Sequence, residues 1–324
     1  MHLLLIGIPL AISIVPALAG ETQRPQRSFE FRYQATLKDI PAGAKKVRVW
    51  VPLPKTDSHQ EITNLKINGP GEAKIGEDTE TANRMAYFEV LNPTGAPPSV
   101  SLTFTATRFE NRVNLNGHAA ALAAAPGDRF LAPDRLGMID DEIKRLASTA
   151  TAGKSEPLEQ ARGVYDAVIA HMNYDKSSPG WGHGDAKYAC TAAKGNCTDF
   201  HALFMAMCRA SGIPCKFAIG FPLPTDVKEG EIGGYHCWAY FFTSDHGWVP
   251  VDTSEADKHA EKKDYFFGAH DQNRIEFTEG RDLKLVPPQD GEPVNYFIYP
   301  YVEVDGKPFD GVDKTFSFRD IRSS

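Results

Sequence analysis

The chain of 324 residues reads as an α+β protein. Three observations predict this. Between residues 28 and 112, apolar and polar residues alternate in short runs broken by Gly and Pro. Between 136 and 210, apolar residues recur at helical spacing. Beyond 215, aromatic strand-like segments return. Helices first and strands afterwards suggest α+β, with a small β-sandwich-like domain in front. Hydrophobic content of 42% and aromatic content of 10% are ample for a packed core. The length allows two domains.

Residues 1–19 read as a signal peptide. Leu3 to Val15 is apolar, and Ala17-Leu18-Ala19 before Gly20 fits a small-x-small cleavage site. Pro9 and Pro16 interrupt a run already short for a bilayer span. A periplasmic or secreted location follows, with no membrane attachment after cleavage. The net charge is −7, and no basic block occurs. A nucleic-acid partner is therefore not expected, since that surface needs clustered Lys and Arg.

The β-rich N-terminal domain is placed at 28–112. Phe29, Phe31, Tyr33, Ala35 and Leu37 alternate with polar neighbours, as do Val47, Val49 and Val51 before Pro52 and Pro54. Ile62, Leu65 and Ile67 form a weaker run, and 85–91 and 100–109 complete the set. Residues 113–132, Ala-rich with a Pro-Gly-Asp turn, read as a linker. Residues 133–324 are then the catalytic domain with a C-terminal strand extension. Its first helix is marked by Leu136, Ile139, Ile143 and Leu146. The second is marked by Leu158, Ala161, Tyr165, Val168, Ile169 and Met172, with Pro157 at its start. Residues 177–185 carry Pro179, Gly180, Gly182 and Gly184 and read as a loop. Strands follow at 215–221, 235–243, 248–251 and 296–304.

The segment from Lys194 to Pro214 carries the chemistry. A glycine loop opens it, Phe200, Leu203, Phe204 and Met207 recur at helical spacing, and Gly212 and Pro214 close it. Cys197 falls in the first helical turn, where unpaired N–H groups and the positive dipole end favour thiolate, the nucleophilic form. His236 opens one aromatic strand and Asp252 ends the next, across a turn at 244–247. A hairpin there brings both to one end of the strand pair, near the helix start. Nucleophile, base and orienting carboxylate are then available. Each residue alone would pass as an ordinary core or turn residue; the combination does not.

The segments Gly195-Asn196-Cys197-Thr198-Asp199-Phe200, Cys208-Arg209-Ala210-Ser211-Gly212-Ile213-Pro214, His236-Cys237-Trp238-Ala239 and Gly247-Trp248-Val249-Pro250-Val251-Asp252 resemble the transglutaminase-like superfamily, in order and spacing like its bacterial members. The resemblance covers roughly 130–305. It implies a papain-like core, with the Cys-bearing helix packed on an antiparallel sheet. It also implies a Cys-His-Asp triad of Cys197, His236 and Asp252. Cys237 departs from the alanine often found beside the histidine. An oxyanion donor besides the Cys197 N–H comes in relatives from an upstream polar or aromatic side chain, which makes Trp181, Tyr188 and Asn196 oxyanion or pocket candidates.

No cofactor and no metal is expected. His183, Cys190, Cys197 and His201 fit no familiar zinc spacing, and Glu255 and Asp257 make no calcium loop. Arg274, Arg281 and Asp282 read as a turn-rich, salt-bridged structural segment. Strand alternation suggests that Cys237 points away from the triad. Cys190, read in a loop, could approach Cys197. Disulfide connectivity among the five cysteines is not readable from spacing. The function expected is an exported cysteine hydrolase cleaving amide or peptide bonds of a peptide or protein substrate through a thioester. Transfer to an amine acceptor, or a non-catalytic binding protein on the same fold, are the alternatives.

Overall fold

The computed structural model describes residues 24–117 and 123–321. The apolar run read as a signal peptide lies outside them. The first strands are β1 (Gln26–Leu37), β2 (Lys46–Leu53), β3 (Gln60–Asn68), β4 (Lys74–Glu77), β5 (Arg84–Leu91), β6 (Ser99–Phe109) and β7 (Asn111–Arg112). Next come α1 (Asp141–Thr151), α2 (Pro157–His171), β8 (Asn173–Tyr174), α3 (Ala186–Ala192), β9 (Lys194–Gly195) and α4 (Cys197–Ala210). They are followed by β10 (Cys215–Pro222), β11 (Glu229–Glu231), β12 (His236–Thr243), β13 (Gly247–Val251), α5 (Thr253–Lys258), β14 (Ala269–His270) and β15 (Arg274–Glu279). The last are β16 (Tyr301–Val304), β17 (Lys307–Pro308) and β18 (Val312–Asp320).

Two five-stranded antiparallel sheets form the sandwich, ordered β11-β18-β1-β6-β3 and β17-β16-β2-β5-β4. In β1 the alternating Phe29, Phe31, Tyr33, Ala35 and Leu37 are all buried, as the period of two requires. β2 is buried on both faces. Val47, Val49 and Val51 join the main core, while Trp50 packs with Met85, Tyr87, Leu285 and Phe297. The C-terminal strands do not stay with the unit that carries α4, as the reading of 133–324 had them. β16 pairs with β2, and β18 runs between β11 and β1. Its apolar Val312, Phe316 and Phe318 complete the sandwich core. The strand expected over 296–304 is confined to 301–304.

The second unit is built on a four-stranded antiparallel sheet ordered β13-β12-β10-β15. β12 and β13 form the expected hairpin, with Thr243 opposite Gly247 and Ala239 opposite Val251. α4 packs on one face of it, with the Phe204 and Phe241 rings 6.5 Å apart. α2 starts at Pro157 as expected. α1 starts later than its apolar pattern, at Asp141, because the Asp140 side chain accepts from the N–H groups of Glu142 and Ile143 and fixes the cap there. α3 is a helix that the sequence reading passed over. It is only seven residues long, and its buried face is made of the small Ala186, Ala189 and Cys190, but Asp185 caps it.

β15 is the edge of the four-stranded sheet, and two sandwich side chains cover it. Gln60 Oε1 accepts from the Glu276 N–H (3.0 Å), and Gln60 Nε2 donates to the Glu276 carbonyl (2.9 Å). Asn83 does the same for Glu279, at 2.8 and 2.7 Å. Each side-chain amide thus mimics one residue of an absent neighbouring strand. Both are 1% exposed. Truncating either leaves a buried backbone N–H and C=O unpaired. Gln60→Ala and Asn83→Ala are each expected to destabilise by about 1–3 kcal/mol in urea unfolding. A surface control such as Lys66→Ala is expected to stay within about 0.5 kcal/mol.

Candidate active site

The site is built on the start of α4. Asn196 is the N-cap, and its Oδ1 accepts from the Thr198 N–H at 3.0 Å. Asp199 completes the capping box by accepting the Asn196 N–H on Oδ2 at 3.0 Å. The fully buried Asp199 carboxylate also accepts from Gly182 N (2.7 Å) and Gly184 N (3.0 Å). Burial pushes its pKa upward, and these N–H groups oppose that shift. Gly195 is required here: a Cβ at this position would lie 2.3 Å from Asp199 Oδ2. The glycine loop is strapped from its other side as well. Arg281 Nη1 donates to the Gly184 carbonyl (2.7 Å), Asn295 to that of His183 (2.7 Å) and the Tyr296 hydroxyl to that of Gly182 (2.9 Å).

Cys197 is the first residue of α4 and is 2% exposed. His236 opens β12, and Asp252 directly follows β13. The hairpin brings them together, with His236 Nε2 to Asp252 Oδ2 at 2.7 Å. Nε2 is therefore engaged, which leaves Nδ1 as the ring nitrogen available to the Cys197 thiol. Burial alone would lower the His236 pKa. The Asp252 carboxylate and the Cys197 sulfur overcome it and raise it to about 10. Burial would raise the Cys197 thiol, but hydrogen bonds from Cys237 and His236, and the imidazolium charge, hold it well below the usual thiol range. Asp252 is likewise opposed by burial, yet His236 and Arg274 hold it well below the usual carboxylate range.

Asp252 has every acceptor position in use. Oδ2 also receives Arg274 Nη1 at 2.9 Å. Oδ1 accepts from Ser254 Oγ (3.1 Å) and from the Glu255 N–H (3.0 Å), which makes Asp252 the N-cap of α5. His201, considered above only as a zinc ligand, ties α4 to this carboxylate. Its Nδ1 donates to the Cys197 carbonyl at 2.7 Å, and its Nε2 accepts the Thr253 N–H at 3.2 Å. That pattern fixes a neutral ring with the proton on Nδ1, in keeping with the lowering by burial. Both nitrogens are taken within the protein.

Two expectations about the other thiols are corrected. Cys237 does not point away from the start of α4. Alternation along β12 holds: Cys237, Ala239 and Phe241 join the main core, while Trp238 and Tyr240 form a separate cluster. However, α4 packs on the Cys237 face, and Cys237 Sγ lies 3.7 Å from Nδ1 of His201, one helical turn from Cys197. Cys190 is on α3 and not in a loop. All five cysteines are buried and free.

The three oxyanion or pocket candidates separate. Asn196 is buried at the start of α4, with its Nδ2 donating to the Tyr235 hydroxyl at 3.1 Å. Trp181 lies in the glycine loop with 36% of its surface exposed, and the Lys176 ammonium is 5.7 Å from its ring. Tyr188 is on α3, its hydroxyl 3.1 Å from Ser178 Oγ. Sequence reasoning missed the tyrosines around the sulfur. Tyr174 is pushed up to about 12, by burial and then by the Cys197 charge. Tyr235 and Tyr296 are raised by burial, and the same charge adds to it. Tyr235 sits beside His236 in sequence, but the other two come from distant segments. Arg274, Arg281 and Asp282 were read as a polar turn segment. Arg274 instead opens the buried strand β15, and Arg281 and Asp282 follow that strand.

Residues 144–253 match the family model of the transglutaminase-like superfamily, and Cys197, His236 and Asp252 all fall within that span. The chain carries a transglutaminase-like core domain. An uncharacterized protein of Haemophilus influenzae is 26% identical over 321 residues, covering 86% of this chain and 87% of that one. In fold the chain is similar to the crystal structure of "a Putative Cysteine Protease from Cytophaga hutchinsonii". That comparison has a TM-score of 0.63 and 15% identity, and covers 92% of each chain. The match extends over sandwich and four-stranded unit together, so the two chains share the overall fold.

The electrostatics of the core give a pH dependence with a defined sign. The His236 contribution to stability is fully present below about pH 6.5 and is lost as pH rises through about 10. The Asp252 contribution is present above about pH 4 and is lost as pH falls through its depressed value. Iodoacetamide on the reduced, folded protein near pH 6 is expected to label Cys197 first. Cys190 is raised to about 11 by burial, and Cys208 and Cys237 are also raised by burial. Peptide mapping by mass spectrometry reads the order. Faster labelling of Cys190 or Cys237, or an unchanged Cys197 rate in His236→Ala, would contradict this account.

Proposed function

We propose that this protein is a cysteine hydrolase that cleaves amide or peptide bonds through a thioester, with Cys197 as nucleophile, His236 as acid and base, and Asp252 as orienter. One observation carries the reading. His236 Nε2 is held 2.7 Å from Asp252 Oδ2, while Cys197, whose thiol that histidine helps to hold below the usual range, is the first residue of α4. The Cys197 thiolate attacks the substrate carbonyl carbon. The oxyanion meets the Cys197 N–H, with Asn196 the best placed of the side-chain candidates. His236 gives its proton to the leaving nitrogen as the C–N bond breaks, and a thioester remains. Water, deprotonated by His236, attacks the thioester carbon, and Cys197 leaves as thiolate. Asp252 keeps the imidazole oriented throughout and supports its cationic form. The substrate class proposed is a peptide or protein.

Cys197→Ala is expected to abolish turnover with little loss of stability; His236→Ala is expected to abolish it as well, with a loss of stability because the buried Asp252 loses a partner. Asp252→Asn is expected to retain partial activity, down by about 10²–10⁴-fold. Intact-mass analysis with a peptide library, with and without a lysine-like amine, reads the acyl-enzyme and its acceptor. Release of free acid supports hydrolysis. A dominant amine adduct would assign transferase chemistry instead, and full turnover by Cys197→Ala would end the reading. We further propose export, supported by the apolar run and the Ala17-Leu18-Ala19 triplet. N-terminal sequencing of periplasmic or secreted material should begin at Gly20; Met1 on active, membrane-bound material would refute cleavage.

A further inference from the structure

Four ionisable side chains meet in one buried corner: Cys197, His236, Asp252 and Arg274. Arg274 is 3% exposed. Its Nη1 lies 2.9 Å from Asp252 Oδ2, the same oxygen that receives His236 Nε2. Its Nε is 3.5 Å from Asp271 Oδ1, and its guanidinium covers the Trp238 ring at 4.9 Å. The Trp238 ring is itself 5.9 Å from that of His236. Arg274 opens β15, the edge strand that Gln60 and Asn83 cover from the sandwich. It lies beyond residues 144–253.

A thiolate, an imidazolium and a carboxylate together carry one net negative charge. In a site closed to water that surplus is costly, and the group able to relieve it most easily takes up a proton. Either Cys197 or Asp252 would do so, and either event ends the ion pair. A guanidinium supplies the missing positive charge and cannot lose its proton. The other groups around the corner do not supply it. On α4, Asp199 adds negative charge held by backbone N–H groups, and His201 is fixed neutral. His270, on β14, is pushed towards neutrality by burial and by Arg274 itself. On α5, Lys258 is paired with Glu255 at 2.9 Å. Cys237, Tyr165, Tyr174, Tyr235 and Tyr296 stay uncharged, because burial raises their pKa values.

We propose that Arg274 is a positioning residue that balances the charge of Asp252, so that the buried thiolate–imidazolium pair of Cys197 and His236 is the resting state. This rests on the assignment of Cys197 as nucleophile. The single Nη1 contact asks for a positive charge more than for a two-pronged fork, so Arg274→Lys is expected to preserve it and Arg274→Gln to remove it.

The measurement is the rate of Cys197 alkylation by iodoacetamide against pH, on the reduced, folded full chain, followed by mass spectrometry. It needs no substrate. At about pH 6, R274Q is expected to react about tenfold more slowly than wild type, with its profile displaced towards alkaline pH. R274K is expected to stay within about threefold of wild type. The double variant D252N/R274Q is expected to be no slower than R274Q alone, since loss of Arg274 already ends the ion pair and neutralising Asp252 cannot end it again. A wild-type profile for R274Q, or losses that multiply in the double variant, would overturn the proposal and leave Arg274 a packing role. Should R274Q not fold, R274K decides: a loss of about tenfold there overturns it, and retention supports it. Absence of an acyl-enzyme with any peptide would count against the hydrolase reading alone, because alkylation does not pass through it.

Discussion

A carboxylate with no water around it must find a partner for each oxygen, and Asp252 does so from four directions. His236 and Arg274 share Oδ2, while Ser254 and the Glu255 N–H take Oδ1. The residue therefore ends β13, starts α5 and fixes the histidine ring together. His201 binds the Cys197 carbonyl on one side and the N–H following Asp252 on the other, so helix and hairpin are held at one separation. Removing one partner of such a network leaves the remaining charge buried, which costs far more than the net value of any single bond.

Asp199 plays the corresponding part on the other flank of the thiol. It gathers N–H groups from Asn196, Gly182 and Gly184, so the loop and the helix start are one unit. Gly195 allows this because the carboxylate occupies the space of a side chain. Arg281, Asn295 and Tyr296 hold the loop carbonyls from outside. A wall fixed in this way is preorganised, and the groups it presents need not rearrange during a reaction.

What was legible in the sequence follows from range. The α4 start is local, since glycine, N-cap, cysteine and capping aspartate lie within five residues. The β12–β13 hairpin is nearly as local, which is why His236 and Asp252 could be placed at one end. Arg274 was read as part of a polar turn because Arg, Glu and Thr alternate in Arg274–Glu279, although every residue up to Thr278 is buried. Only pairing with β10 and cover from Gln60 and Asn83 make that burial possible, and no short window shows it. Cys237 failed for a related reason. Alternation gives the two faces of a strand but not which face receives the helix. The destination of β18 was hidden in the same way, because its partner lies at the other end of the chain.

That pairing has a kinetic consequence. Phe29 lies opposite Asp320, about 290 residues apart, and β18 occupies an interior position of its sheet. Loop closure over such a distance is slow and must precede the contacts that reward it. Until β18 arrives, β1 presents an open hydrogen-bonding edge and the aromatic core beneath it is incomplete. The sandwich that braces β15 through Gln60 and Asn83 is then unfinished as well. The β12–β13 hairpin is local and needs no such closure, whereas the frame around Arg274 does. A chain truncated before Val312 would carry Cys197, His236 and Asp252 without the strand that completes that frame.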